Sequence, residues 1–221
     1  MRRFLRRFAR GAGILLGLAV VATFAQVLAL RWHDPQSTAW MRMRQRQAHE
    51  RGEELSIRHG WVPLAQIPRD LRRAVIAAED AGFYRHHGFD WAAIKAASAR
   101  NAEAGGVKRG GSTITQQLAK NLFLSPSRSY VRKAREAFIT AVMELSLPKE
   151  RILELYLNSI ELGRGSFGVA AGAELQFGVP LRGLTRDQCC RLAAIIPAPL
   201  RYRVSGDFVR RRAEQLARMI E

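Results

Sequence analysis

From Gly11 to Leu30 the chain runs for twenty residues without a charge, GAGILLGLAVVATFAQVLAL, and no other feature constrains it as strongly. A helix of that length spans ~30 Å, the depth of a bilayer's hydrocarbon core. Arg2, Arg3, Arg6, Arg7 and Arg10 precede the run, and Trp32 stands just past its far end. Basic residues stay on the cytoplasmic side, so the segment is expected to cross a membrane with its N-terminus inside and residues 31–221 outside. Arg31, Arg42, Arg44 and Arg46 follow the run and dilute that asymmetry. A cleaved signal peptide carries a shorter apolar stretch of ~7–15 residues before a small-residue site. Only Val27-Leu28-Ala29 resembles such a site here. The expected organisation is therefore a basic cytoplasmic tail at 1–10, a transmembrane helix at 11–30, a juxtamembrane segment at 31–60 and one domain at 61–221.

The 221 residues carry a formal charge of +17, and strongly basic chains usually meet phosphate, as nucleic acid, anionic membrane or phosphorylated substrate. About half of the excess lies in residues 1–51, where the bilayer-flanking role accounts for it, and an exported domain meets little nucleic acid. Nucleic acid is therefore not an expected partner. In the juxtamembrane segment Trp40, Met41 and Met43 interleave with Arg42, Arg44 and Arg46, a pattern suited to a headgroup interface or to a solvated connector. The two cysteines, Cys189 and Cys190, are adjacent, so they close no loop and frame no zinc site.

Beyond residue 60 the apolar spacing is helical. Pro68 opens a segment with Leu71, Val75 and Ala78 on one face. Asp90 is placed to cap a helix from Trp91 to about Ala102, and Ser112-Thr113 begins another. Val131, Ala134, Phe138, Val142 and Leu145 recur at roughly helical spacing and mark an apolar face over 131–146. After Pro148 the pattern resumes from Glu150 to Asn158, and a last helix runs from Thr185 to Ile196. No alternating pattern of useful length appears, which predicts a mainly α domain.

Several groups carry chemistry. Gly105-x-x-x-x-Gly110-Gly111-Ser112 approaches a phosphate-binding loop, but Gly111 stands where the lysine is required and no strand precedes it. The segment is instead expected to be mobile, a lid beside a cleft. Glu79, Asp80, His86 and Asp90 put four ionisable groups within twelve residues. His86 and His87 are adjacent and point differently, so a structural role is preferred over a metal site. Glu136, Thr140 and Glu144 share one helix face, and Arg132 lies four residues before Glu136, the spacing of an ordinary surface pair. Yet Arg128, Arg132, Lys133 and Arg135 outnumber any one acid, and such a cluster suits phosphate.

The order and spacing of four blocks resemble the family-51 peptidoglycan glycosyltransferases, most closely their monofunctional members. The blocks are Glu79-Asp80-x-x-Phe83-x-x-His86-x-Gly88-x-Asp90, then Gly111-Ser112-Thr113-Ile114-Thr115-Gln116-Gln117-Leu118-x-Lys120-Asn121-Leu122-Phe123-Leu124, then Arg132-Lys133-x-x-Glu136, then Lys149-x-x-Ile152-Leu153-Glu154-x-Tyr156-Leu157-Asn158-x-x-x-x-Gly163. The resemblance covers about residues 60–204. It departs at Gln176, where the family usually has Tyr, at Ala198, where Asn is common, and at Cys189-Cys190, where Ala is frequent.

The resemblance implies a lysozyme-like helical domain that polymerises lipid II at the outer face of a bacterial cytoplasmic membrane. It implies no penicillin-binding transpeptidase domain after Glu221. It makes Glu79 the general base and Glu136 a second essential carboxylate near the donor pyrophosphate or its metal. Lys120, Arg132, Lys133 and Arg128 become the pyrophosphate cations, with Ser112, Thr113, Gln116, Gln117 and Asn121 around the substrate. Asp80, Phe83, His86, Gly88 and Asp90 support that motif, and Glu144 becomes structural. No tightly bound cofactor is implied, although a divalent cation, Mg²⁺ or Mn²⁺, assists many members. Expected partners are lipid II, the growing glycan chain, the membrane and proteins of the division or elongation machinery. The chemistry fits those roles, because a sugar hydroxyl attacks well only when a carboxylate takes its proton, and fixed cations stabilise a departing pyrophosphate. Two other classes compete, a glycan-cleaving lytic enzyme and an inactive membrane scaffold. The basic cluster weighs against the first and the presence of both Glu79 and Glu136 against the second.

Overall fold

The computed structural model describes residues 1–103, 111–125 and 129–221, the side chains at 2–9, 12, 16, 101 and 103 excepted. Ten α-helices occur among them. They are α1 (Arg2–Ala29), α2 (Ala39–His49), α3 (Arg69–Glu79), α4 (Trp91–Glu103), α5 (Ile114–Phe123), α6 (Tyr130–Ser146), α7 (Lys149–Ser159), α8 (Val169–Phe177), α9 (Arg186–Ile195) and α10 (Asp207–Met219). The mainly helical expectation agrees with this. Sequence reading missed a three-stranded sheet, β1 (Arg58–His59), β2 (Glu161–Gly163) and β3 (Ser166–Phe167), in the order β1-β3-β2. Its strands are two or three residues long, too short to establish an alternation. The β1–β3 pair is parallel and the β2–β3 pair antiparallel.

Helix starts follow side-chain chemistry. Thr113 caps α5 and Thr185 caps α9, each in a reciprocal box with a glutamine three residues on, Gln116 and Gln188. Asp90 Oδ1 accepts from Ala93 N at 2.8 Å, as the expected cap of α4 requires. Pro68 precedes α3, whose buried face is Leu71, Ala74 and Val75. Around α5 the core is built from α6 and α7, while α9 packs between α3 and α10. Cys189 and Cys190 are buried in α9 as free thiols, and burial pushes them up to about 12 and about 11, so both remain protonated, inert packing groups.

Helix α7 is buried almost all round, and its polar residues fasten the neighbouring chain. Asn158 takes Val62 N on Oδ1 and gives Nδ2 to Val62 O and Glu154 O, each at 2.9 Å, while Glu154 accepts from Leu64 N. Gly168 lies at φ +82°, where a Cβ would meet Asn158 O at 3.0 Å, so the chain after β3 turns against this helix only as glycine.

Two expected faces are corrected. Helix α6 buries Glu136, Ile139, Thr140, Val142, Met143 and Ser146 and leaves Val131, Phe138 and Leu145 exposed. Of the five apolar positions at that spacing only Val142 is therefore buried, because the side turned to α5 holds the ion-paired Glu136. Met41 and Met43 are buried rather than at a headgroup surface, since α2 packs on α5 and is capped by Thr38.

The expected membrane segment lies within α1. Among the described residues no helix is long and apolar enough to cross a membrane. Ile14, Leu15, Leu18 and Val21 are exposed, whereas Val27 and Leu30, at the C-terminal end, are buried where α1 meets α6. Arg151 of α7 clasps that end: its guanidinium donates to Leu30 O at 2.7 Å, His33 O at 3.1 Å and Asp34 Oδ1 at 2.7 Å.

Candidate active site

Helix α3 ends at Glu79, and Asp80 leaves it with an extended backbone, φ −161°. The two adjacent acids therefore part. Asp80, 7% exposed, accepts from His86 Nε2 at 2.9 Å and from Ile114 N, the first residue of α5, at 3.0 Å. Gly88 N donates to His86 Nδ1, which leaves Nε2 as the nitrogen turned to Asp80. Gly88, at φ +87°, offers its carbonyl to Thr113 Oγ1 at 2.7 Å, and a Cβ there would strike Thr140 and Glu144. Phe83 is fully buried, with Lys149 Nζ 4.5 Å above its ring. These motif residues thus fix the start of α5 against the end of α3.

Glu79 lies on the wall of a cleft of about 1190 Å³. Burial raises its pKa above the usual carboxylate value, while a hydrogen bond from Gln117 and the charges of Arg212 and Lys120 pull it down and Asp80 adds a smaller push upward. The balance is a carboxylate with increased proton affinity and cations close by, which suits a general base.

Helix α5 supplies much of the same wall. Ser112, Thr113, Gln117, Lys120 and Asn121 line the cleft. Gln116 does not, and its side chain forms the α5 capping box with Thr113. Gln117 Nε2 donates to Glu79 Oε2 at 2.8 Å. Lys120 is half-buried with its pKa lowered by burial, while Glu136 and Glu79 act to raise it and Arg132 and Lys133 to lower it. Lys120 therefore feels both carboxylates.

Glu136 is 3% exposed, paired with Arg132 Nη1 at 2.6 Å and with Lys133 Nζ. The acid is thus buried between a half-buried arginine and an exposed lysine, not in the ordinary surface pair that the i,i+4 spacing implied. The Nε of Arg132 is buried without a partner among the described residues. Arg132, Lys133 and Glu136 are not among the residues that wall the cleft; Lys120 stands between the two sets electrostatically. Arg128 and the glycine segment from Gly105 to Gly110 lie outside the described residues. Glu144 accepts from Thr115 Oγ1 at 2.5 Å and from Lys149 Nζ at 2.9 Å, a structural role.

Glu136 does not fit a divalent cation as it stands, since each of its carboxylate oxygens already faces a cationic side chain. Asp80, His86 and Asp90 bring ligand atoms within 4.8 Å of one another, but these atoms also serve the helix caps and the Asp80–His86 bond.

Sequence reading missed part of the cleft lining. Trp40 and Arg44 of α2 line the cleft, and both donate to Glu161 Oε2, at 3.1 and 2.7 Å. Lys120 Nζ lies 5.4 Å from the centre of the Trp40 ring. The signal available was the Thr38 cap followed by a helical stretch, which marks a docked helix rather than a connector. Arg212, brought to Glu79 by α10, had no readable signal in a run of three arginines, Arg210 to Arg212.

Comparison with known proteins places these residues in a family context. The transglycosylase family model matches residues 45–220, beginning inside α2. A biosynthetic peptidoglycan transglycosylase of Azoarcus sp. (strain BH72) is 50% identical over 200 residues, 90% of this chain and 87% of the relative. Proteins of the same name from Neisseria meningitidis serogroup A and Neisseria gonorrhoeae are 48% and 47% identical over 179 residues, covering 81% of this chain and 77% of each relative.

Proposed function

The chain belongs to the transglycosylase family, and from that premise we propose that it is a peptidoglycan glycosyltransferase joining lipid II units into glycan strands. The observation that carries the reading is Glu79 on the wall of a large cleft with Lys120 beside it, the lysine sensing Arg132, Lys133 and Glu136 as well. In the reaction the sugar 4-oxygen of the acceptor bonds to the anomeric carbon of the growing chain. The bond from that carbon to undecaprenyl pyrophosphate breaks, and its electron pair leaves with the pyrophosphate. Glu79 takes the hydroxyl proton, a contribution of ~10²–10⁴-fold for a well-placed base. Lys120, with Arg132 and Lys133 beyond it, offsets the charge that builds on the leaving group. Glu136 holds those two cations in place.

The run from Gly11 to Leu30 is the proposed membrane anchor, supported by its freedom from charge and by the exposed Ile14, Leu15, Leu18 and Val21 of α1. The arginines before it support an N-terminus in the cytoplasm and a cleft outside, at the inner membrane of a bacterial cell. Proteins of the division or elongation machinery are the proposed neighbours. The deciding experiment incubates the purified full chain with lipid II and resolves the products by size. Longer glycan chains support the reading, and shortening of preformed glycan without elongation overturns it.

A further inference from the structure

One buried side chain of α7 ends in a polar atom directed at the site. Tyr156, 0% exposed, donates from its hydroxyl to Gln117 Oε1 at 3.1 Å, and Gln117 Nε2 donates onward to Glu79 Oε2 at 2.8 Å. Helices α7, α5 and α3 thus contribute one residue each to a chain of hydrogen bonds that terminates on the carboxylate.

A side-chain amide is nearly symmetric in shape, and its neighbours decide which end points where. Burial, aided by the charges of Glu79 and Asp80, lifts the Tyr156 phenol well above its usual range, so the hydroxyl keeps its proton. Donating that proton to Gln117 Oε1 turns Nε2 toward Glu79. Were the amide reversed, its oxygen would face an ionised carboxylate oxygen, which is repulsive. Glu79 Oε1 accepts no hydrogen bond from the described residues, so one oxygen is held and the other is left for chemistry.

We propose that Tyr156 and Gln117 are positioning residues for the sugar-joining reaction, orienting Glu79 so that Oε1 takes the acceptor's proton while Oε2 is held. The inference rests on the reading of Glu79 as the base. The charged and titratable groups around Glu79 are Asp80 at the end of its own helix, Lys120 from α5, Arg212 from α10 and Tyr156 from α7. None of the other three replaces the Tyr156 donation to Gln117. Without the phenol hydroxyl the amide turns freely, its donation to the ionised carboxylate weakens, and Glu79 binds its proton more readily. The acid limb of the rate profile then moves to higher pH.

The test measures kcat and KM for lipid II against pH with the full chain in lipid vesicles, for wild type, Tyr156→Phe, Gln117→Leu and the double variant. Tyr156→Phe is expected to lower kcat about 2–10-fold on the acid side, the worth of one hydrogen bond, with KM little changed and the acid limb at higher pH. Gln117→Leu moves the limb in the same direction, and the double variant is no worse than Gln117→Leu alone, because both substitutions cut one chain. An acid limb for Tyr156→Phe that coincides with wild type overturns the inference, as do losses that multiply in the double variant. Should Tyr156→Phe not fold, as judged by its circular dichroism melt, Gln117→Leu decides alone: an unmoved limb overturns the inference and a raised one supports it. A wild-type chain that fails to extend lipid II overturns the function reading instead, so the two failures are distinguishable.

Discussion

Glu79 and Glu136 are two acids that the protein treats in opposite ways. Glu79 ends a helix on a cleft wall, held by one amide, with its proton affinity raised by burial. Glu136 is mid-helix, almost fully buried, and clamped between Arg132 and Lys133. A carboxylate that must take and return a proton needs a free oxygen and little compensation. One that organises cations needs both oxygens occupied. The difference teaches that burial alone does not assign a role to an acid; the partners of its oxygens do.

Glu79→Gln puts the strongest strain on that comparison. Polymerisation of lipid II is expected to fall ~10²–10⁴-fold, measured as glycan product per unit time, with vesicle binding unchanged. A variant of near wild-type rate would transfer the base role elsewhere. Arg132→Ala and Lys133→Ala come next and are expected to raise KM for the pyrophosphate-linked donor ~10–100-fold, the range of a lost charge-assisted hydrogen bond. Unchanged KM in both would confine the triad to folding.

Thermal melts sharpen the contrast through its sign. The folded-state pKa of Glu79 is raised, so its stabilising contribution is present below the unfolded value near 4.5 and is lost as pH rises through the folded value. At neutral pH Glu79→Gln is therefore expected to keep or raise Tm, with the difference shrinking below pH 4.5. Glu136→Ala is expected to lower Tm by the equivalent of ~1–3 kcal/mol, since it leaves Arg132 without its acceptor. A fall in Tm for Glu79→Gln matching that of Glu136→Ala would erase the distinction. Leu145→Gln gives the smallest effect, within ~0.5 kcal/mol in a denaturant titration, because the residue is 81% exposed.

Leu145 also marks where sequence reading was misled. Hydrophobic spacing on α6 selected Val131, Ala134, Phe138, Val142 and Leu145, of which only Val142 is buried, since periodicity equates apolar with buried. The opposite face, with Glu136 and Thr140, is the buried one, and no periodic count distinguishes a functional polar stripe from a solvated one. Helices α3, α4, α5 and α9 were legible from caps and prolines, as Pro68, Asp90, Thr113 and Thr185 illustrate, whereas α2, α8 and α10 went unread. The motif spacing pointed to Glu79, Lys120 and Glu136, but not to the separation of Glu79 from Asp80, which depends on one extended backbone step at the helix end. Trp40, Arg44 and Arg212 reach the cleft from elements far away in the chain, and tertiary docking of that kind leaves no local signature.

With the run from Gly11 to Leu30 as the proposed anchor, the clasp of Arg151 on Leu30, His33 and Asp34 changes how the enzyme would sit in its cell. A catalytic head on a slack leash samples every tilt and height above a surface. A head riveted to its own stalk has a preset elevation and heading, so lipid-borne sugars arriving sideways would always meet the same doorway. On this view the stalk is a gauge as well as a mooring, and the distance from bilayer to carboxylate is a built dimension of the molecule.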